Sequence, residues 1–373
     1  MSSPTFPTID ISPFLNPHTP TPLLLSTATS LSRACSSPGF FYLTNHNIPP
    51  ELCNRILNLT RTFFLHAPAS QKQTLLRRDV GIGNGDGARG YQVIGDNVTE
   101  GKRDWHEAVD FYRPVREGEP FSSPLFPSGD DLEGDDGEKD GEEKKRGLKR
   151  ERAPPYELLM GMNQWPSGWR DTFEIYVREM LVLGEAVVRA MGVALGGGME
   201  GEGRFVGVTG KSWWVMRAIG YPSLKEKGEE GGVSCGAHSD YGCVTLLLSD
   251  GTRGALQAWV GDDEGSEKGG EGGGSEDGDG NKGDKGGNEK GGRWVDVDPV
   301  EGALVVNIGD MMARWSGGKW KATRHRVVHR GEGFRVSVPF FFEPDWDARV
   351  PGGRGEGEVV YGEYLSGKVR GNF

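Results

Sequence analysis

Cysteine is scarce in this sequence: the chain has 373 residues and four cysteines, which are dispersed through apolar segments. Structural zinc sites need four protein ligands and usually draw on cysteine, and this chain does not supply such a set. The dispersion also favours reduced side chains that pack in the interior over disulfides. The four are Cys35, Cys53, Cys235 and Cys243.

The chain also lacks a long apolar run and an excess of positive charge. No stretch is long enough to span a bilayer, and the first residues contain no basic region leading into an apolar core with a cleavage site. The 43 basic residues are outnumbered by 54 acidic ones, and the net charge of −11 argues against nucleic-acid binding. We expect a soluble cytoplasmic monomer without a membrane or nucleic-acid partner.

Two charged segments carry most of the acidity. Residues 130–152 have a net charge of −3 and residues 262–293 one of −5, so the rest of the chain is nearly neutral. The surrounding stretches, 128–153 and 261–293, contain few large apolar side chains, and the second holds fourteen glycines. Such stretches do not offset their ordering entropy, so we expect two disordered inserts, the second extruded from a hairpin turn.

The remaining sequence predicts a mainly β fold with flanking α-helices. At 35% hydrophobic residues, a chain of this length buries a full core, and we expect one domain with insertions. Helical spacing of apolar residues predicts helices at 22–36, at 51–65 and from 169 to the glycines at 196–198. Strands are predicted at 8–11, 39–44, 213–221, 244–248, 256–260, 294–297, 303–308, 326–328 and 334–342.

His238 and Asp240 stand two residues apart, shortly before the apolar run 244–248. On an extended strand successive side chains alternate between faces, so this imidazole and this carboxylate share a face and can converge on one ion. The pair alone has a second interpretation, in which the two side chains hydrogen-bond to each other in the core. The downstream sequence favours the ion.

A third candidate ligand, His325, precedes a glycine-containing turn at residues 330–333. The β-branched and aromatic residues on both sides of this turn predict a hairpin. On its second strand Arg335 and Ser337 are two apart and therefore share a face. A guanidinium fork beside a hydroxyl binds a carboxylate well, so this strand predicts an anion anchor.

Two neutral imidazoles and one carboxylate leave three coordination positions open on a divalent ion. This arrangement is the facial triad of non-haem Fe(II) oxygenases. The candidate triad is His238, Asp240 and His325.

These residues resemble the Fe(II)- and 2-oxoglutarate-dependent dioxygenases of the isopenicillin N synthase-like group. The resemblance lies in His238-x-Asp240, the distal His325, and Arg335-x-Ser337 ten residues further on. Other matching segments follow the family's order from near residue 7 to the C-terminus. They are residues 7–12, 39–46, 163–166, 221–222, 307–310 and 339–342.

The resemblance implies a double-stranded β-helix, the cupin-like jelly roll, with the triad holding Fe(II) near one open end. In the family 2-oxoglutarate chelates the iron, leaves one position for O2, and meets the Arg-x-Ser pair, here Arg335 and Ser337, with its far carboxylate. The tyrosine before a proline, here Tyr221, commonly donates to the cosubstrate too. Arg217 shares the strand face of Tyr221 and is a further candidate for binding an acid, or else a structural cation.

The same resemblance divides the chain into residues 1–120, an N-terminal region with bracing helices, and residues 154–373, the jelly-roll core interrupted by the second insert. Residues 89–110 border the mouth of the active site in the family. We assign no function to Arg89, Trp105 or His106 in that segment.

The implied activity is hydroxylation or desaturation of a small molecule, with release of succinate and carbon dioxide. Two alternatives stay open. One is an oxidase like isopenicillin N synthase or aminocyclopropane carboxylate oxidase, which share the triad and the anchor but do not use 2-oxoglutarate. The other is an inactive binding protein of the same fold. No residue selects the substrate.

Overall fold

The computed structural model of this chain describes residues 6–79, 86–99, 101–115, 159–227, 232–261, 291–352 and 357–371. The predicted insert at 128–153 lies outside these ranges, as do residues 262–290 of the second insert. Both inserts therefore stay predictions from the sequence.

The three predicted long helices are confirmed. Pro50 occupies the first turn of one of them, where its fixed φ and missing N–H are tolerated, and Gly197 ends another with a left-handed φ of 75°. The helices are α1 (Ser12–Leu15), α2 (Thr21–Ser36), α3 (Pro50–His66), α4 (Ala69–Thr74), α5 (Arg170–Gly196), α6 (Val206–Thr209), α7 (Leu224–Lys227), α8 (Asp310–Trp315) and α9 (Tyr361–Gly371).

Each predicted strand is present, with small shifts at the ends. The strands are β1 (Thr8–Asp10), β2 (Phe40–Thr44), β3 (Gly90–Gln92), β4 (Val98–Thr99), β5 (Lys102–Arg103), β6 (Glu107–Tyr112), β7 (Val215–Tyr221), β8 (Cys235–His238), β9 (Val244–Ser249), β10 (Leu256–Gly261), β11 (Gly292–Asp296), β12 (Leu304–Ile308), β13 (His325–Val327), β14 (Arg335–Phe342), β15 (Arg349–Val350) and β16 (Val359–Val360).

Two sheets form the core. The large sheet has eight strands in the order β1-β2-β12-β9-β14-β7-β6-β3, and the small sheet has four in the order β11-β10-β13-β8. Only the β1–β2 pair of the large sheet is parallel. One buried cluster joins Ile219 and Val305 of the large sheet to Leu256 and Val327 of the small one, so the sheets face each other. This is the expected jelly roll.

The outer face of the large sheet is covered by helices. On β14 the even-numbered residues Val338, Phe340 and Phe342 join a buried cluster with residues of α5, whereas the odd-numbered residues point to the small sheet. Burial on both faces explains why the central strands are nearly continuous apolar runs. Helix and sheet approach closely at Gly184, where an added Cβ would lie 2.2 Å from the Phe342 ring.

The predicted hairpin of β13 and β14 is wrong. β13 pairs with β10 and β8 in the small sheet, whereas β14 pairs with β7 and β9 in the large sheet. The glycine-containing turn between them carries the chain from one sheet to the other. A turn signal shows that the chain reverses, but it does not specify which strand becomes the hydrogen-bonded neighbour.

The second hairpin, which was expected to carry the long insert, is present. β10 and β11 pair antiparallel, and the pairing continues to Gly261 opposite Gly292. The end residues of the predicted insert therefore belong to strands, because the ladder hydrogen bonds extend beyond the apolar residues that predicted them. No helix in the described ranges is long and apolar enough to cross a membrane.

We expect the segment beyond this hairpin to be dispensable for folding. Because Gly261 and Gly292 are cross-strand partners, Asn-Gly in place of residues 262–291 forms a two-residue turn of the favoured type. The free energy of unfolding, measured by urea titration, should be unchanged or higher, because closing a shorter loop costs less conformational entropy on folding. A glycine-serine replacement of equal length is the control for length, and loss of folding on shortening would contradict the prediction.

Candidate active site

The two candidate histidines lie opposite each other in the small sheet. His238 at the end of β8 pairs with His325 at the start of β13, and their ring centroids are 4.4 Å apart. Each Nδ1 donates to a nearby backbone carbonyl: His238 to Gly236 at 2.8 Å and His325 to Thr323 at 3.1 Å. These hydrogen bonds fix the ring orientations and leave both Nε2 atoms as acceptors.

Asp240 does not share a strand face with His238, contrary to the prediction, because β8 ends at His238 and Asp240 lies in the following loop. The loop is held by its surroundings. The Asp240 carbonyl accepts the N–H of Asp310 at 2.8 Å, and its Oδ2 accepts hydrogen bonds from Asn307 Nδ2 at 2.7 Å and from Thr245 Oγ1. Oδ1 is thereby turned toward the two imidazoles.

The three side chains converge as the sequence predicts. Asp240 Oδ1 lies 3.8 Å from His238 Nε2 and 3.7 Å from His325 Nε2. Ligand atoms that are each about 2.0–2.2 Å from a common ion lie at most about 4 Å apart, so the set fits one divalent ion. Burial lowers the pKa of His325 to about 4 against the opposing effect of Asp240, whereas Cys235 and Asp240 raise the pKa of His238 to about 10 against the effect of burial, so a metal that binds here would displace a proton from His238.

A second group of possible ligand atoms, on Asp104, His106 and Cys235, lies close together nearby. Its lone pairs are already used in hydrogen bonds. Asp104 Oδ1 accepts the Gly236 N–H at 2.9 Å, and His106 Nε2, whose Nδ1 donates to a backbone carbonyl, faces the Asn97 amide at 3.0 Å. Asp104 and His106 thus hydrogen-bond to the backbone of β8 and of the residue before it, and we assign the cluster no metal.

Arg335 and Tyr221 are cross-strand partners on β14 and β7, and Ser337 follows two residues later on the same face. The Arg335 guanidinium carbon lies 4.7 Å from the Tyr221 ring centroid, and Ser337 Oγ is 3.5 Å from the Tyr221 hydroxyl. Arg335 is 2% exposed, yet its Nε and Nη1 have no hydrogen-bond partner within the described part of the chain. A buried guanidinium with free donors is a site for an anion, and a carboxylate fits its fork.

The inner face of the large sheet connects this anchor to the three converging side chains. Phe341, which lies on the same face of β14 as Arg335, pairs with Thr245 on β9. Thr245 is the residue that donates to Asp240. The anchor and the candidate metal ligands therefore open into the same interior between the two sheets.

A cavity of about 170 Å³ adjoins His238 and Asp240. Three of the residues that line it have a buried polar atom without a hydrogen-bond partner among the described residues: Arg217 (Nη2), Gln92 (Oε1) and Glu343 (Oε2). Arg217 is also a structural cation, as the sequence allowed, because its Nε donates to Asp110 at 2.7 Å.

Glu343 was not predicted from the sequence. The two-residue alternation that links Arg335 to Ser337 continues to Glu343, so the strand pattern already placed this carboxyl on the inner face. Burial raises the pKa of Glu343 to about 8.

Arg89 and His106 of the 89–110 segment are buried and are not among the residues that line the cavity. Arg89 is 2% exposed and forms an ion pair with Asp86, and it donates to the Leu159 carbonyl at 2.8 Å. These contacts indicate a structural role for Arg89, because they connect Asp86 with Leu159, which lies on the other side of residues 116–158. His106 is 2% exposed and forms the hydrogen bonds described above.

Comparison with known proteins identifies the family. Residues 6–128 match the family model "non-haem dioxygenase in morphine synthesis N-terminal", and residues 279–344 match the "2OG-Fe(II) oxygenase superfamily". Homoarginine-6-hydroxylase 2-ODD-C23.1 of Arabidopsis thaliana is 32% identical over 92% of this chain and 88% of its own length. The chain belongs to the Fe(II)- and 2-oxoglutarate-dependent oxygenases. A homoarginine-6-hydroxylase of Oryza sativa subsp. japonica is likewise 32% identical, over 98% of this chain and 97% of its own.

Solved structures agree on the fold of this oxygenase. A full-length Neurospora crassa protein, crystallised in complex with alpha-KG, superposes with a TM-score of 0.69 at 23% identity, covering 99% of this chain and 96% of that one. Membership of the family makes the protein an oxidoreductase that uses Fe(II), 2-oxoglutarate and O2 to hydroxylate a small molecule.

Thr245 offers a test of how the oxygenase orients Asp240. Thr245→Val keeps the side-chain shape but removes the donor to Asp240 Oδ2, so we expect Fe(II) affinity to fall by about 10–100-fold, the usual cost of losing a ligand's hydrogen-bond partner. Anaerobic titration with Fe(II) measures this. Thr245→Ser, which keeps the hydroxyl, is the matched control, and equal affinity of the two variants would show that this hydrogen bond does not orient the carboxylate.

Proposed function

We propose that this oxygenase hydroxylates a basic amino acid of the homoarginine type. In this proposal His238, Asp240 and His325 hold Fe(II), and Arg335, Ser337 and Tyr221 hold the far carboxylate of 2-oxoglutarate. One oxygen atom of O2 enters the substrate C–H bond as a hydroxyl, and the other enters succinate as 2-oxoglutarate loses carbon dioxide. Bound iron and 2-oxoglutarate supply this oxidising chemistry.

The observation that carries the proposal is the buried Arg335 guanidinium with two unpartnered nitrogens beside Tyr221 and Ser337. Asp250 attracts Arg335 electrostatically, but two guanidinium nitrogens still lack a hydrogen-bond partner among the described residues, and an anion that accepts from them would stabilise this arrangement. The planar guanidinium fork can form two parallel hydrogen bonds with a carboxylate, so it favours a carboxylate over a monatomic anion. The tyrosine and serine hydroxyls add donors on the same side.

The charges of the site support the same assignment. Asp240 reduces the charge of a divalent iron to +1, and the chelating carboxylate end of 2-oxoglutarate cancels the remainder. Arg335 neutralises the far carboxylate separately. The protein thus contributes one negative charge, Asp240, and one positive charge, Arg335, at the two ends of a dianion-binding site, and the charges of iron, 2-oxoglutarate and these two residues sum to zero.

The substrate class is supported by two independent points. Relatives that align over nearly the whole chain are named homoarginine-6-hydroxylases. Two residues that line the cavity, Arg217 and Gln92, also have a buried donor (Nη2) and a buried acceptor (Oε1) without partners in the described structure. A donor and an acceptor in one cavity match the carboxylate and ammonium groups of an amino-acid head. We assign that head to these two residues.

The proposal includes a monomer that acts in the cytoplasm without nucleic acid or membrane. These properties stay predictions from the charge and hydropathy of the sequence. Sedimentation of the purified chain at the concentration used for assays measures the first of them, and a dimer would contradict it.

The anchor is tested by Arg335→Lys, which keeps the charge but loses the planar fork. Losing one charge-assisted hydrogen bond costs about 1.5–3 kcal/mol, so the apparent affinity for 2-oxoglutarate should weaken by roughly 10–100-fold. Succinate formed at varied 2-oxoglutarate, with homoarginine present, gives this value. Arg170→Lys, at an exposed helix position, is the control. Fe(II) affinity should barely change, because Arg335 is not a ligand.

Two outcomes of this experiment would contradict different parts of the proposal. An unchanged 2-oxoglutarate affinity in Arg335→Lys would remove the anchor assignment. If homoarginine did not stimulate succinate formation by the unmodified enzyme, the substrate class would be wrong although the anchor stands. Oxygen consumption that needs no 2-oxoglutarate would favour the oxidase alternative.

A further inference from the structure

We propose that Glu343 binds the positively charged side-chain group of the substrate beside the iron site and so makes the oxygenase selective for cations. This inference rests on the proposed basic amino-acid substrate and names the residue that reads its charge. Glu343 directly follows β14 and lines the cavity together with His238 and Asp240.

The Glu343 carboxyl is held against the loop that carries Asp240. A Cβ added at Gly242 would lie 1.2 Å from Glu343 Oε2, so the carboxyl occupies the space where any other residue at position 242 would place its side chain. Gly242 is two residues after Asp240. The fold therefore leaves room for an acidic group next to the candidate metal ligand.

This carboxyl has no counter-charge from its immediate neighbours. Glu343 is 4% exposed, and its Oε2 has no hydrogen-bond partner in the described ranges. Tyr361 and the Cys243 backbone N–H approach the carboxyl as donors, and the charged groups that act on it, Asp240 and Asp310, are acidic and do not compensate its charge. A buried carboxylate is stable only when a cation or several donors meet it.

The iron does not provide that cation. Fe(II), Asp240 and the chelating carboxylate sum to zero, so the completed iron site has no charge left for Glu343. A substrate guanidinium supplies both a positive charge and a fork of N–H donors that suits a carboxylate. The neutral urea group of homocitrulline has a similar shape but no charge.

The position of Glu343 also has a consequence for which carbon reacts. In homoarginine, carbon 6 is the methylene bonded to the guanidino nitrogen. A guanidinium held by Glu343 beside the Asp240 loop would bring that methylene toward the iron site, while Arg217 on β7 and Gln92 on β3 would contact the amino-acid head. The contact between Glu343 and the guanidinium would then both recognise the charge of the substrate and position the carbon that reacts.

The test is the anaerobic binding of homoarginine and homocitrulline to the full chain loaded with Fe(II) and 2-oxoglutarate, measured by calorimetry. We expect the unmodified protein to bind homoarginine at least about 100-fold more tightly, because its guanidinium compensates the charge of the carboxylate, whereas the urea of homocitrulline leaves the carboxyl protonated or without a counter-charge. In Glu343→Gln this preference should fall to within about 3-fold, chiefly through weaker homoarginine binding. Glu343→Asp, which keeps the charge, should retain the preference at lower affinity.

Glu363→Gln, at an exposed position of α9, is the matched control and should keep the full preference. An undiminished preference in Glu343→Gln overturns the inference. So does an equal loss of affinity for both ligands, because that result indicates only a structural role for the carboxyl.

Ethylguanidinium separates this inference from the proposed substrate class, since it has the charged group but no amino-acid head. Binding to the unmodified protein and loss of binding in Glu343→Gln supports the role of Glu343 even where homoarginine itself does not bind. Failure of ethylguanidinium and homoarginine alike to bind the unmodified protein overturns both proposals.

Discussion

The antiparallel pairing of β8 with β13 is the contact on which the active site depends. It places His238 opposite His325 in the small sheet and brings two imidazoles to 4.4 Å between ring centroids. Backbone carbonyls then orient each ring, so no mobile side chain is needed to aim the Nε2 atoms. The third candidate ligand, Asp240, is oriented from the large sheet by Asn307 and Thr245. Both sheets must therefore be in register for the site to exist.

Buried charges without partners distinguish binding groups from structural ones in this protein. Arg89 is as deeply buried as Arg335, but Arg89 is paired with Asp86 and Arg335 is left with two free donor nitrogens among the described residues. Desolvation is costly for both, and in the first case the protein itself compensates it. In the second, two donor nitrogens remain for a carboxylate ligand, as proposed. The same reasoning separates Glu343, which has a free oxygen, from Asp110, which is hydrogen-bonded to Arg217.

Much of the core was predictable because local alternation reports which faces of a strand are buried. Arg335 and Ser337 were placed on one face by spacing alone, and the register confirms it. Strand partners were not predictable in this way: β13 and β14 follow one turn but belong to different sheets. The position of Asp240 beyond the end of β8 also escaped prediction, because the hydrogen bond that orients it comes from Asn307, 67 residues away. Glu343 was overlooked because its significance lies in the partner it lacks, which only packing reveals.

The central claim is that one ion binds His238, Asp240 and His325 while a carboxylate binds Arg335. A crystal structure of the full chain, grown anaerobically with Fe(II) and 2-oxoglutarate and using anomalous scattering at the iron edge, tests it most directly. We predict one iron peak within about 2.0–2.3 Å of His238 Nε2, His325 Nε2 and an Asp240 oxygen, a range typical of protein-bound divalent metals, with the far carboxylate of 2-oxoglutarate on the Arg335 guanidinium. An iron peak at Asp104, His106 and Cys235, or a carboxylate bound away from Arg335, would contradict the account.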